Sequence, residues 1–133
     1  MRPILTALAF ILAFLPTTLR ADDRIGQVIR DQIAAFQVDD FATAFTYASP
    51  TIQRLFGTSE RFGQMVQQGY PMVHRPADVT MLDQRGLGET VIQRVRIRDG
   101  QGRVHVLDYQ MIPVESGWQI NGVQLVRQAE VGV

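Results

Sequence analysis

The chain contains no cysteine and no lysine. Without cysteine there is no disulfide framework, no thiolate nucleophile and no thiolate metal site, so stability has to come from packing. All 13 basic residues are therefore arginine, and they meet 13 acids for a formal charge of zero. That balance excludes the concentrated positive surface with which a nucleic-acid binder neutralises phosphates. Histidine is scarce as well. His74 and His105 do not stand at metal-ligand spacing and no Asp/Glu cluster completes a site around them, so neither a metal nor a cofactor is expected. Serine is limited to Ser49, Ser59 and Ser116, two at helix starts and one in a turn, with no nucleophile elbow among them. The glycines near positions 86 and 100 lack the strand-to-helix setting of a phosphate loop.

What is present fits one domain: 133 residues, 46% of them hydrophobic. Arg2, then the apolar run from Pro3 to Pro16, then a short stretch ending at Ala21 reproduce the order of a secretory signal peptide. The apolar run is well short of the roughly 20 residues that a membrane-spanning helix requires. Residues 1–21 are therefore expected to be a cleaved leader, with Leu19 and Ala21 at the −3 and −1 positions. The alternative is an uncleaved anchor. A lipoprotein anchor is excluded because no cysteine follows the run. The mature domain, residues 22–133, would be periplasmic or secreted and free of the membrane. Without Arg2 and Arg20 it would carry eleven arginines against 13 acids.

Helices come first along that domain. Ile25, Val28, Ile29, Ile33 and Phe36 recur on one helical face behind Asp22-Asp23. Asp39-Asp40 caps a second helix, Phe41–Ala48, and Ser49-Pro50 starts a third that ends at Gly57. Thr58-Ser59 caps a fourth, Glu60–Gln68, that stops at Gly69. The two prolines in Tyr70-Pro71 and Arg75-Pro76 predict an extended connector. A short strand over Val79–Asp83 follows.

Strands come last. Thr90–Arg98, Val104–Val114 and Trp118–Val126 are rich in Val, Ile, Tyr and Trp, and Gly-bearing turns at Asp99–Gly102 and Glu115–Gly117 separate them. Centring the first loop pairs Ile97 with Val104, Val95 with Val106 and Gln93 with Asp108. A three-residue second loop, Glu115–Gly117, pairs Val114 with Trp118, Ile112 with Ile120 and Asp108 with Gln124. One face then holds Val91, Val95, Ile97, Val104, Val106, Ile112, Trp118, Ile120 and Val126. The other holds Ile92, Tyr109, Val123, Leu107 and Leu125 among arginines. The helices are expected to cover the first face. The second, half apolar, predicts a homodimer.

In this register Gln93, Asp108 and Gln124 form a row inside the covered face. A carboxylate there would have a raised pKa and could serve as a general base; a structural network held by two glutamine amides is the other account of the same row. Tyr47 and Tyr70, whose buried hydroxyls would need partners, and Trp118 complete the set of ligand-pocket candidates. Two functions remain open. One is a non-catalytic module that binds a small apolar ligand or a protein. The other is an acid–base enzyme of isomerase or dehydratase type with Asp108 as base.

The runs Asp39–Phe45, Ala48-Ser49-Pro50, Phe56-Gly57, Gly69–Val73, Tyr109–Pro113 and Gly117–Val123 together resemble an exported bacterial family, domain of unknown function 4864. That family is similar to the nuclear-transport-factor-2-like superfamily, which includes ketosteroid isomerases and polyketide cyclases. The resemblance implies an α+β cone, with N-terminal helices packed in the concave face of a curved antiparallel sheet. It implies no activity, because none of the superfamily's catalytic motifs matches here residue by residue.

Overall fold

The computed structural model describes residues 21–127. The expected leader, residues 1–21, lies outside them except for Ala21, where the first helix begins. Five helices precede four strands: α1 Ala21–Gln37, α2 Phe41–Thr46, α3 Pro50–Phe56, α4 Ser59–Gly69 and α5 Pro71–His74, then β1 Pro76–Leu87, β2 Thr90–Asp99, β3 Val104–Val114 and β4 Gly117–Leu125. The strands form an open antiparallel meander in the order β1-β2-β3-β4, and the helices pack against it. The fold class is α+β, as expected.

The capping signals act where they stand. Asp40 accepts from Thr43 N, Ser49 from Ile52 N and Thr58 from Arg61 N, so three helix starts have an orphan donor satisfied by the residue before them. The α1 stripe Ile25, Ile29, Ile33 and Phe36 is buried. α2 is shorter than expected and ends at Thr46, because Tyr47 and Ala48 leave the helix to bond β4. Ile120 N donates to Tyr47 O at 2.9 Å, and Ser49 N donates to Ile120 O at 2.8 Å.

The expected connector around Tyr70–Pro76 is a helix. Tyr70 is pushed out of helical geometry by the proline after it, but Pro71 itself supplies the preset φ of a first helical position, and α5 follows. Arg75 then bonds Phe36 O at 2.8 Å, capping the end of α1, and its other nitrogen reaches Asp39 at 3.0 Å beside His74 at 2.8 Å. The strand expected over Val79–Asp83 is more than twice that long. Its polar second half carries no alternating signal because it is an exposed sheet edge, held by pairing with β2 across a tight turn at Gly88.

The largest correction is the register. Asp99 N donates to Arg103 O at 2.9 Å, and Gly102, at φ 83°, occupies the left-handed position of a three-residue loop. Ile97 therefore faces His105, Val95 faces Leu107, and Gln93 faces Tyr109. This one-residue slip turns every β3 side chain over relative to the expected pairing. Leu107, Tyr109 and Met111 enter the core, while Val104, Val106 and Ile112 leave it. The apolar patch proposed for self-association does not form, since Leu107 and Tyr109 are fully buried under the helices.

The second loop has two residues rather than three, so Val114 faces Gly117. A bulge beyond Met111 then restores the expected offset, and Asp108 does pair with Gln124.

Asp99 carries the first loop. Its carboxylate accepts from Gln101 N and Arg103 N, both at 2.9 Å, and meets His105 Nε2 at 2.9 Å. The His105 contact foremost, then the two backbone bonds, hold the carboxyl down at about 2, against a partial opposing effect of burial. A carboxyl depressed on folding contributes stability above its unfolded pKa of about 4, and that stability is lost as pH falls towards 2. The urea midpoint of the wild type is expected to drop across this window. Asp99→Asn, which can still accept the backbone bonds, should drop less; equal drops would mean that Asp99 is not the group titrating.

Candidate functional site

A cavity of about 230 Å³ lies between α3, α4 and the covered face of β3 and β4. Its walls are apolar, with Phe36, Phe62, Val66 and Ile120 behind and Ile52 and Leu55 at the front. Local sequence sets each wall. Phe62 is the centre of an aromatic cluster, with Phe45 at 5.3 Å, Phe56 at 5.7 Å and Phe36 at 5.8 Å between ring centroids. α3 forms the front because Ser49 fixes its start to the sheet: the hydroxyl donates to Asn121 Oδ1 at 2.7 Å, at the β4 bulge. No α3 residue is buried, and Leu55 at the rim is 72% exposed. The front wall is thus the least packed part of the cavity.

Three polar side chains reach this lining. Gln32 donates to Ala44 O at 3.2 Å, and Tyr70 donates its hydroxyl to Val123 O at 3.1 Å. Tyr109 is fully buried, and among the described residues its hydroxyl has no hydrogen-bond partner. Burial, with a smaller contribution from Tyr70, pushes that phenol well above its ordinary range, so it keeps its proton at any physiological pH.

The expected site residues are distributed over the molecule. Tyr70 alone lines the cavity. Tyr47 and Trp118 share a shallow groove with Val28 near the start of β4. Gln93 is buried on the covered face as expected but faces Tyr109, not Asp108. Its amide donates to Leu82 O and Arg94 O, both at 2.9 Å, and accepts from Gln84 at 2.7 Å, so it clamps the irregularity in β1. Asp108 and Gln124 are neighbours on the opposite, outer face. There Arg94 grips Asp108 with two bonds of 2.9 and 3.0 Å, and Arg85 approaches at 3.4 Å. The row of Gln93, Asp108 and Gln124 expected from the sequence therefore does not exist. Asp108 is a cross-strand ion-pair residue outside the cavity.

Of the cavity residues, Val123 was expected on the opposite face of the sheet, and so was Tyr109, its partner on β3. The signal that would have placed Tyr109 is the turn: Asp at the first loop position with Gly at the fourth favours the three-residue loop over the centred one. Gln32 gave no signal, being a glutamine on a helix whose apolar stripe was already complete. Among the described residues, no three His, Asp or Glu side chains converge as a metal site. No described helix is long and apolar enough to cross a membrane.

No curated protein matches the sequence. The fold is similar to the solution structure of a SEC-C motif containing protein from Rhodopseudomonas palustris. The TM-score is 0.52 at 16% identity, with 80% of this chain and 89% of that one covered. At that identity the likeness concerns the fold alone. Residues 18–133, which include every described residue, match one family, and the chain belongs to it, the domain of unknown function DUF4864.

Proposed function

We propose that the protein is an exported, non-catalytic module that binds a small apolar ligand in the cavity between α3, α4 and the sheet. The observation that carries this reading is the lining: apolar on nearly every side, with no carboxylate, imidazole or guanidinium among its described residues. General acid–base catalysis needs titrating groups within reach of the substrate. Asp108, the base of the enzyme alternative, stands on the other side of the sheet in an arginine grip, so no observation favours that alternative.

Export rests on the leader-like order of Arg2, the apolar run and Ala21. Kinship with the nuclear-transport-factor-2-like superfamily is supported by the succession of helices then meander, with a cavity between the two layers. A homodimer through the outer sheet face would have to use Val104, Val106 and Ile112 beside Arg96 and Arg98, in place of the patch that the slipped register dissolves.

Native mass spectrometry of protein purified from its own host tests these points together. The expected species starts within a few residues of Asp22 and releases a small molecule on denaturation. Its mass also reads the number of chains. A retained apolar N-terminus would overturn export. Protein that is empty and takes up no apolar probe would overturn ligand binding.

A further inference from the structure

We propose that the ligand is an uncharged molecule carrying a hydrogen-bond acceptor, and that the Tyr109 hydroxyl donates to it. The proposal rests on the cavity reading above and names the chemistry of what the cavity holds.

The first argument is the orphaned hydroxyl. An unpartnered buried polar group is costly to the fold, and phenylalanine would fill the same ring position without that cost. Tyr109 is fully buried on β3, it lines the cavity, and its oxygen is the one buried side-chain polar atom without a partner among the described residues. The Tyr70 hydroxyl and one N–H of Gln32 are already committed to carbonyls.

The second argument is charge. No Arg, His, Asp or Glu stands in the described lining, so an ionised ligand would be desolvated there with no counter-charge. The phenol, held in its protonated form by burial, acts as donor. A carbonyl, ether or hydroxyl oxygen is the matching group, and a carboxylate is excluded.

The third argument is size. An apolar cavity of about 150 Å³ holds benzene; this one measures about 230 Å³. A substituted ring or a short branched chain fits. The way in is past Leu55 and the unburied helix α3.

The test uses cumene, acetophenone and benzoate, which have equal numbers of heavy atoms but carry no acceptor, a neutral acceptor and an anion respectively. Each is titrated by protein-observed NMR into the mature wild type and into Tyr109→Phe. That variant keeps the ring and removes only the orphaned oxygen, so it is expected to melt no lower than the wild type. Tyr109→Phe should weaken acetophenone roughly 3–10-fold relative to cumene, the worth of one net hydrogen bond. In the wild type, benzoate should bind at least about tenfold more weakly than acetophenone, since an unpaired charge is costly to bury, and this comparison needs no variant. Equal effects of the variant on cumene and acetophenone, or tightest binding of benzoate, would overturn the proposal while the apolar cavity reading stands. Failure of all three probes to bind the wild type would overturn both.

Discussion

Phe36→Ala is expected to destabilise the fold by about 3–5 kcal/mol, the range for truncating a buried aromatic ring. Phe36 is 1% exposed at the end of the α1 stripe and packs against two other helices. Its ring centroid lies 5.8 Å from Phe62 in α4 and 6.3 Å from Phe41 in α2, and it also forms part of the cavity wall beside β3. A domain of this size has about 5–15 kcal/mol in total, so the variant should lose a large share of its stability. Thermal unfolding followed by circular dichroism should fall by roughly 10–20 °C. A shift of only a few degrees would mean that α1 does not anchor the helical layer. Because the ring also walls the cavity, the loss enlarges a space that already exists. The surrounding side chains can collapse into it only by giving up the aromatic cluster around Phe62.

Gly63→Ala is expected to destabilise by about 1–3 kcal/mol, although the same change in an exposed helix interior would stabilise by nearly 1 kcal/mol. The sign reverses because α4 crosses α2 with no room for a methyl group. A Cβ on Gly63 would sit 2.5 Å from Phe41 Cγ and 2.6 Å from Cδ1, both near the root of that ring. The ring cannot swing aside freely, since it is also packed on Phe36 and stacked on His74 at 6.1 Å. Gly69→Ala is the control: it lies in the same helix, and its Cβ would meet nothing within 4 Å. Urea unfolding of the two variants should move in opposite directions. If Gly63→Ala gains stability alongside Gly69→Ala, the close helix crossing is wrong.

The two substitutions also mark where local information ends. Phe36 was legible as core from the spacing of α1 alone. The need for glycine at position 63 was not, because nothing within α4 requires it; the requirement comes from a ring in another helix.

The sequence by itself determined helices α1 to α4 and their order before the strands; α5, expected as an extended connector, is the exception. Asp40, Ser49 and Thr58 bond donors three residues ahead of them, and the α1 stripe is a periodicity within one segment. Such signals are complete within a few residues, so they can be read without knowing what the segment will meet. The strands and their sequence order were legible for the same reason. Which strand residues face inward turned on the loop between β2 and β3, whose signal is local but was outweighed by a centred reading, and on a bulge that no local pattern shows. Asp99 and Gly102 close a three-residue loop, and pairing has a period of two, so a single residue in the loop reversed the sides of Tyr109 and Asp108 along the whole of β3. The β4 bulge is absent from any local pattern, since it exists only when two strands are paired and one carries the extra residue. The cavity is a product of those decisions. It needs Tyr109 turned inward by one hairpin, α3 fastened at Asn121 by another, and α4 pressed against α2 where Gly63 lets it approach. The last two are contacts between segments distant in sequence, and no property of the separate segments specifies them.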